Sequence, residues 1–303
     1  MNFKHLINRT RNLFYTYDKV NQFNLNIINF IRAENLTQKA LHSTEPGITN
    51  NKYCDYNIIA SLTTYGDRLQ EVYLSIESIM QQSMKPNKII LWLEDELQKV
   101  ELPILLRRQI QRGLEVHYYK NIRSYKKLIP TLKYYPDDAV ITLDDDLLYN
   151  TNMLEHLITN HIKDPQSIYY NRGHLMTFKQ TGELEKYNKW KWFQTSINNP
   201  NLNFPTTGGG VLYPPHCFNA EVLNEDIFMK LCPTADDIWF KAMSLYNNKV
   251  CKKAYTTSPI GEDYIENTTV QNITLSKVNV DNGKNDLQIK QVFDYYHLYE
   301  KLK

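Results

Sequence analysis

Short apolar runs alternate with helix-like segments through the first half of the chain. The apolar runs cover residues 56–63, 88–93, 114–119 and 139–143. The segments between them are predicted to be helices, among them 101–112 and, despite Pro130, 124–134. Pro86 and Gly113 separate these elements, as proline and glycine commonly do. Strands that alternate with helices indicate βαβ units and a parallel sheet. We therefore expect an α/β fold with a mostly parallel sheet flanked by helices.

The pattern is different before and after this region. The first 35 residues have helical spacing, and Pro46-Gly47 then predicts a turn or linker. After about residue 150 the alternation weakens, and the tail from 257 is mainly polar. We predict an N-terminal helical extension over 1–50, a main domain over 51–260, and a C-terminal tail over 261–303 that packs on the domain.

The N-terminal extension has two interpretations. Its apolar positions are interleaved with basic ones: Phe3, Leu6, Ile7, Leu13, Phe14 and Tyr17 against Lys4, Arg9, Arg11 and Lys19. A basic amphipathic helix can lie on an anionic membrane surface, but it can equally dock on its own domain or on a second subunit. No run approaches the ~18 apolar residues of a membrane span, and the first residues lack the apolar segment of a secretory signal. The sequence thus favours a cytoplasmic protein, with peripheral contact at the inner face of the membrane as one interpretation.

The overall charge is nearly balanced. Lys and Arg number 35 and Asp and Glu 33 among 303 residues. Such a balance gives no reason to expect a nucleic-acid partner. At 42% hydrophobic residues, the chain has the composition of a globular protein.

Three aspartates, Asp144, Asp145 and Asp146, directly follow the apolar run 139–143. Adjacent carboxylates repel each other unless positive charge lies among them. Carboxylate oxygens suit Mn²⁺ or Mg²⁺, which also retain open positions for phosphate oxygens. The alternative is a solvated acidic turn or a helix N-cap. A metal site is therefore one of two interpretations of the triplet alone.

Three further clusters have residue types suited to a ligand site. Thr63 to Arg68 follow the first strand, so they share the carboxyl edge of the sheet with the triplet, where ligands of such folds bind. Gly208, Gly209 and Gly210 allow close approach of the backbone to a ligand, or simply form a loop. Asp236 and Asp237 open a helical pattern, either as a base in a cleft or as partners of the helix dipole. No phosphate loop or dinucleotide fingerprint is present.

Individual residues in other polar segments are candidates as well. Arg172 could neutralise a diphosphate, as could Arg68, although a single arginine is more often a surface charge. Lys126 and Lys127 are weaker candidates of the same kind. Trp190, like Trp192, could stack on a sugar ring or cover the core.

The order of these motifs resembles the GT-A class of nucleotide-sugar glycosyltransferases over residues 56–255. The pattern is especially similar to exostosin-like transferases and to bacterial surface-polysaccharide transferases. This resemblance implies a Rossmann-like GT-A domain and Mn²⁺ or Mg²⁺ as the cofactor. It also implies roles at the matching positions. Donor contacts fall on Thr64, Tyr65, Arg68, Asp144, Asp145 and Arg172; metal ligands are Asp146 with Asp144; acceptor contacts are Gly209 and Gly210, with Trp190 as a candidate; and the catalytic carboxylates are Asp237 and Asp236.

The resemblance also implies an activity. It predicts a hexosyl- or N-acetylhexosaminyltransferase that uses a UDP-sugar and extends a glycan or lipid-linked glycan of lipopolysaccharide or capsule. Many relatives place a late histidine on the metal, but the helical, tyrosine-rich setting of His297 argues against that role here. A sugar nucleotidyltransferase is an alternative, although its glycine-rich basic loop after the first strand is missing. A non-catalytic carbohydrate-binding protein is another, against which the complete aspartate triplet argues.

Overall fold

The computed structural model describes residues 3–255, 264–267 and 283–303, and within the first helix it describes side chains only at 19, 20 and from 23 onward. The helices are α1 (Phe3–His42), α2 (Val72–Met80), α3 (Ile104–Ile110), α4 (Ile129–Tyr134), α5 (Met153–Lys163), α6 (Glu225–Leu231), α7 (Asp236–Tyr246) and α8 (Lys284–Tyr295). The strands are β1 (Ile58–Thr63), β2 (Lys88–Glu94), β3 (Leu114–Tyr119), β4 (Ala139–Thr142), β5 (Leu147–Tyr149), β6 (Ile168–Tyr170), β7 (Gly173–Leu175), β8 (Lys191–Trp192), β9 (Asn203–Pro205), β10 (Val211–Tyr213), β11 (Cys251–Lys253) and β12 (Tyr264–Glu266).

A mixed sheet forms the centre of the fold. Its strands, within the described parts of the chain, lie in the order β11-β6-β10-β4-β1-β2-β3. Neighbours pair in parallel except at β10, which is antiparallel to both β4 and β6. The expected α/β fold with a mostly parallel sheet is confirmed.

The order of connections creates a crevice at one edge of this sheet. The chain runs outward from β1 to β2 and β3, and then returns to pair β4 on the other side of β1. Where the winding direction reverses in this way, the loops that follow the two strands diverge and leave space between them. The carboxyl ends of β1 and β4 therefore flank the place where an open α/β sheet most often binds a ligand.

Layers of helices cover the two faces of the sheet. Val140 packs with Ile238 of α7 and Val292 of α8 on one side, whereas Ile141 packs with Ile76 of α2 and others on the opposite side. Successive strand side chains point to opposite faces, so β4 needs adjacent apolar side chains such as Val140 and Ile141 to serve both cores. This explains why the strands read as continuous apolar runs rather than as alternating ones.

Two helices differ from their predicted extents for a local reason. The helix expected over 124–134 is split into a 3-10 turn, Arg123–Lys127, and α4. Pro130 lies in the first turn of α4, where its missing N–H costs no helical hydrogen bond, but it cannot lie deep inside a helix. The helix expected over 101–112 shortens to α3, because Pro103 is its N-cap.

The second half of the chain adds two smaller sheets. One has the order β8-β7-β9, and the other pairs β12 with β5 in antiparallel fashion. Helix α8 contributes Ile289 and Phe293 to the core around α7. Residues 256–263 and 268–282, at the end of the predicted domain and in the predicted tail, lie outside the described residues.

Helix α1 docks on the domain through its last turns. Leu36 is buried with Leu74 of α2 and Leu148 of β5, and the Arg32 guanidinium donates to the carbonyl of Tyr149. Between residues 20 and 31 the helix exposes large apolar side chains: Val20, Phe23, Leu25, Ile27, Ile28, Phe30 and Ile31. The six apolar side chains on which the amphipathic prediction rests, Phe3 to Tyr17, lie outside the described ones. Across the part of the chain that is described, no helix combines the length and the apolar character required to cross a bilayer.

Candidate active site

The loops after β1 and β4 meet through hydrogen bonds to one aspartate. Parallel pairing aligns Ser61 with Thr142, so both strands end at the same edge of the sheet. The Thr64 hydroxyl donates to one carboxylate oxygen of Asp145 at 2.6 Å, and the Arg68 guanidinium donates to the other at 2.8 Å. The two sequence clusters predicted at this edge are thus joined directly.

Arg68 neutralises the outer part of the triplet. Besides Asp145, the Nη1 atom of Arg68 pairs with Asp146 at 3.1 Å. The guanidinium also lies over the ring of Tyr65, 5.3 Å from its centroid, and this ring is exposed. Asp145 is only 6% exposed, so its main effect is to fix the direction of the arginine.

Asp144 points toward the interior of the site, where Lys127 meets it. The Lys127 ammonium donates to Asp144 Oδ1. A side chain at Gly208 would place its Cβ 2.4 Å from Asp144 Oδ2, which is closer than any real contact. Glycine at this position is therefore what allows the carboxylate and the loop to approach each other. Tyr149 also secures Asp144, because its hydroxyl accepts from the Asp144 N–H and donates to the Gly208 carbonyl, both at 2.8 Å.

The same lysine connects the triplet to the second acidic pair. Lys127 Nζ lies 3.4 Å from Asp236 Oδ2 and donates to the Thr207 hydroxyl at 3.1 Å. Asp236 also accepts from the Ser124 hydroxyl at 2.8 Å. The turn before α4, the glycine loop and the start of α7 are therefore tied around one buried ammonium.

Asp237 lies beside this network on the first turn of α7. Its Oδ1 accepts from the backbone N–H of Thr207 at 2.9 Å. Burial, and next to it the charge of Asp236, raise the pKa of Asp237 to about 6. A carboxyl with such a pKa is suited to accept a proton near neutral pH.

Burial and charge shift the other carboxyls in different directions. Burial would raise the pKa of Asp144, but the adjacent Lys127 ammonium outweighs it and the pKa is lowered. Burial, and then repulsion from Asp144 and Asp145, raise the pKa of Asp146 to about 6. For Lys127 burial alone would lower the pKa, but the charges of Asp144, Asp236 and Asp237 outweigh it and raise the pKa. Lys127 and Asp144 thus form an ionised pair, while the pKa of Asp146 stays raised although Arg68 pairs with it.

Arg172 supplies the third cation of the cluster. Its Nε donates to the Thr206 hydroxyl at 2.7 Å, its Nη1 bonds the Tyr264 hydroxyl, and the charges of Asp144 and Asp237 act on it. A Cβ on Gly209 would meet the Arg172 Cβ at 2.3 Å. The glycine run therefore packs closely against the arginine and the triplet, and both Gly209 and Gly210 are buried.

Trp190 and His297 lie away from these contacts. Trp190 is 3% exposed and packs on Tyr187 and Phe204, which favours the interpretation that it covers the core. His297 follows α8, where its N–H donates to the carbonyl of Asp294. Among the described residues, neither makes a hydrogen bond to the aspartate triplet or to Asp236 and Asp237.

The donor atoms fit a divalent cation held by few protein ligands. No group of three or more His, Cys, Asp or Glu side chains in the described residues could hold a metal by itself. Mg²⁺ and similar ions, however, often bind through one or two carboxylates together with water and phosphate. The five carboxylates of Asp144, Asp145, Asp146, Asp236 and Asp237 face three cations, Arg68, Lys127 and Arg172. When all are ionised, two negative charges remain unbalanced in this cluster of described residues, which suits a divalent ion at Asp144 and Asp146.

Several residues of the site had no signal of their own in the sequence. Tyr149, Thr207 and Tyr264 act through hydrogen bonds to the aspartates, the loop, Lys127 or Arg172. Ser75 similarly donates to the carbonyl of Asp145 at 2.8 Å. Only their spatial position distinguishes them from other tyrosines, threonines and serines of the chain.

Comparisons with known proteins give a fold-level similarity and no family. No protein-family profile matches the chain, and no curated protein matches it in sequence. Among solved structures 224 chains match. One is the mannosyltransferase PcManGT from Pyrobaculum calidifontis in complex with GDP-Man and Mn²⁺, with 13% identity over 91% of this chain and 73% of that chain and a TM-score of 0.48. A similarity of this degree does not establish a shared activity.

Proposed function

We propose that the chain is a metal-dependent glycosyltransferase. It moves a sugar, a hexose or an N-acetylhexosamine, from a nucleotide-sugar donor, a UDP-sugar, to a glycan acceptor. The acceptor belongs to a bacterial surface polysaccharide such as lipopolysaccharide or capsule. The motif order over 56–255, which resembles GT-A transferases, supports this proposal.

One structural observation carries the proposal further. Lys127 holds the aspartate triplet and the second acidic pair in one network at the carboxyl ends of β4 and β1. The resemblance assigns the triplet to the donor and the pair to the acceptor. A transferase needs these two functions side by side, because its reacting atoms must come within about 3–3.5 Å of each other.

The donor side has groups for each part of a nucleotide diphosphate. The exposed Tyr65 ring offers a stacking surface for the base. Arg68 and Arg172 supply positive charge for the phosphates. Asp144 and Asp146 hold the metal ion, which when bound acts as a Lewis acid that stabilises the diphosphate as it leaves.

On the acceptor side, Asp237 is the base. It takes the proton of the acceptor hydroxyl as that oxygen bonds to the anomeric carbon and the bond from this carbon to the diphosphate breaks. Asp236 is less suited to this role because the Ser124 hydroxyl bonds one of its oxygens and the Lys127 ammonium lies 3.4 Å from the other. Asp236 instead fixes the lysine. A base of this kind contributes roughly 10²–10⁴-fold to the rate.

Release of UDP from a panel of UDP-sugars, with Mn²⁺ and oligosaccharide acceptors, tests the activity. We expect turnover that EDTA abolishes and that Asp146→Ala reduces to background. Thermal shift provides a second readout, since a bound nucleotide stabilises the folded state. UDP with Mn²⁺ should raise the melting temperature of the wild-type protein but not that of Asp146→Ala.

A matched control lies at the opposite end of the same strand. Asp137 precedes β4, and its side chain is 85% exposed. Asp137→Ala should keep both the turnover and the thermal shift. If no nucleotide stabilises the wild-type protein with Mn²⁺ present, the site assignment is wrong.

Helix α1 supports a peripheral location on the inner face of the membrane. Phe23 and Phe30 are 64% and 70% exposed, and the first 17 residues contain basic but no acidic side chains. Such a helix binds anionic lipid through apolar burial and charge together. The protein should sediment with phosphatidylglycerol vesicles and not with phosphatidylcholine vesicles, and Phe23→Ser with Phe30→Ser should abolish that sedimentation. Equal sedimentation with both lipids would contradict this placement.

A further inference from the structure

The outer edge of the small β8-β7-β9 sheet presents two neighbouring aromatic side chains. Trp192 is 45% exposed and Phe193 is 48% exposed. Their rings are 6.3 Å apart in an edge-to-face arrangement. Phe193 has φ of 58°, in the left-handed region that a bulky residue rarely adopts. This backbone conformation costs free energy, and the ring of Phe193 is nevertheless exposed at the surface.

A continuous set of rings connects this surface to the acidic site. Trp192 packs on His174 with the centroids 4.8 Å apart, and His174 packs on Tyr187 at 5.7 Å. Tyr187 in turn is close enough to Asp237 and Arg172 for both charges to act on its hydroxyl. The exposed pair is therefore connected to the site through the buried rings of His174 and Tyr187.

The register of the sheet gives the distance between Arg172 in the site and the exposed Trp192. His174 pairs with Trp192 across β7 and β8, and Arg172 precedes His174 by two residues. With ~3.4 Å per residue along a strand and ~4.8 Å between strands, the Cα atoms of Arg172 and Trp192 lie about 8 Å apart. A ligand that reaches from the aspartates to Trp192 must be longer than the reacting group alone.

The composition of this surface indicates what kind of ligand it takes. Exposed Lys191 and Gln194 flank the two rings, so the apolar area is narrow and has polar groups at its margin. A stable protein interface requires ~1,000 Å² or more, which two rings do not provide. A sugar ring matches better, because it has one C–H face for an aromatic ring and hydroxyl groups around its rim for polar side chains.

We propose that Trp192 and Phe193 form an acceptor subsite that stacks on a sugar unit beyond the one that reacts. This inference rests on the proposed function and adds the substrate class to it: an oligosaccharide acceptor rather than a free monosaccharide. Phe193 holds the indole edge-on, and His174 supports it from below. Catalysis itself stays with the aspartates.

The distribution of tryptophans provides a direct measurement of binding. The chain has four tryptophans, of which Trp92, Trp190 and Trp239 are at most 3% exposed. Acrylamide quenching of the intrinsic fluorescence therefore reports mainly on Trp192. Tetrasaccharides from a panel of neutral and acidic bacterial glycans should protect it from the quencher, whereas their monosaccharide components should not. If no tetrasaccharide protects Trp192, the subsite is disproved.

A kinetic comparison separates the subsite from the rest of the site. Trp192→Ala should raise KM for an oligosaccharide acceptor roughly tenfold, with little change in kcat, in the thermal shift by UDP and Mn²⁺, or in hydrolysis of the donor by water. Trp192→Phe should restore most of the affinity because it retains a ring. Phe178→Ala, which removes another partly exposed ring (36%) from this half of the chain, should change nothing.

The two proposals fail in different ways. An unchanged KM in Trp192→Ala, with nucleotide binding intact, overturns the subsite and leaves the transferase proposal standing. Protection of Trp192 by a tetrasaccharide in a protein that binds no nucleotide overturns the transferase proposal and retains a sugar-binding surface.

Discussion

The two acidic clusters of this protein obtain their compensating charge in different ways. Asp236 and Asp237 lie in the first turn of α7, where the helix dipole and the Thr207 N–H favour negative charge. The triplet follows a strand, which has no such dipole, and depends on cations from other segments. Arg68 comes from 77 residues earlier in the chain. The pair thus obtains part of its stabilisation locally, from α7, whereas the triplet depends on cations from distant segments. Among the described residues, Lys127 is the cation that pairs with both clusters.

Replacement of Lys127 should have the largest effect, because it removes the link between the clusters. Lys127→Met leaves Asp144 and Asp236 close together without their shared cation. Loss of one partner from a buried ion pair typically costs ~3–5 kcal/mol, so the free energy of unfolding should fall by about this amount in urea titration. The melting-temperature increase caused by UDP and Mn²⁺ should be lost as well, since the position of Asp144 is no longer fixed.

The neighbouring lysine provides the control. Lys126 is 1% exposed and pairs with Glu94 at 3.0 Å, outside both clusters. Lys126→Met should also destabilise the protein, but folded protein should keep the response to UDP and Mn²⁺. If both variants lose this response equally, the Lys127→Met substitution acts through general destabilisation. The contact of Lys127 with both acidic clusters then has no separate role in nucleotide binding.

Gly208→Ala should have a smaller effect that is restricted to the triplet. The added Cβ would meet Asp144 Oδ2 at 2.4 Å, so the carboxylate or the loop has to move. Overpacking of this kind costs ~1–3 kcal/mol. Titration with Mn²⁺, followed by thermal shift in the presence of UDP, should show weaker binding, whereas Asp237 should keep its pKa.

Gly182 is the matched position for this variant. A Cβ there would meet no atom within 4 Å, although its φ is +85°. Gly182→Ala therefore adds backbone strain, which Gly208→Ala does not, but no steric conflict, and it should leave Mn²⁺ binding unchanged. A wild-type affinity for Mn²⁺ in Gly208→Ala would show that the close approach to Asp144 is dispensable.

The difference between the clusters also explains how far the sequence could predict them. The central sheet was predictable because β1, β2 and β4 are apolar at most positions, and an apolar run followed by Asp144–Asp146 identifies a strand end directly. The position of Asp236 and Asp237 was predictable because the apolar pattern that follows them marks the start of helix α7. The pairing of Lys127 with Asp144 and Asp236 was not, because a buried lysine looks like a surface lysine in a sequence. The burial of Trp190 beside an exposed Trp192 likewise follows from the sheet β8-β7-β9, whose strands of two or three residues are too short to predict.

The pH dependence of activity should separate the clusters most finely, because Asp146 and Asp237 both have a pKa of about 6 and only one of them is proposed to bind metal. Each pKa lies above the ordinary value, so each group is protonated below about pH 6 and gains its charge as the pH rises. The base Asp237 is active when charged, and kcat/KM should therefore fall about tenfold for each pH unit below 6. Metal competes with protons for Asp146, so raising Mn²⁺ from limiting to saturating should remove the contribution of Asp146 and leave a single acid limb from Asp237. Asp237→Asn should retain residual activity without this limb at saturating Mn²⁺. An acid limb in that variant identical to the wild-type limb would mean that Asp237 is not the base and that the two clusters do not have separate roles.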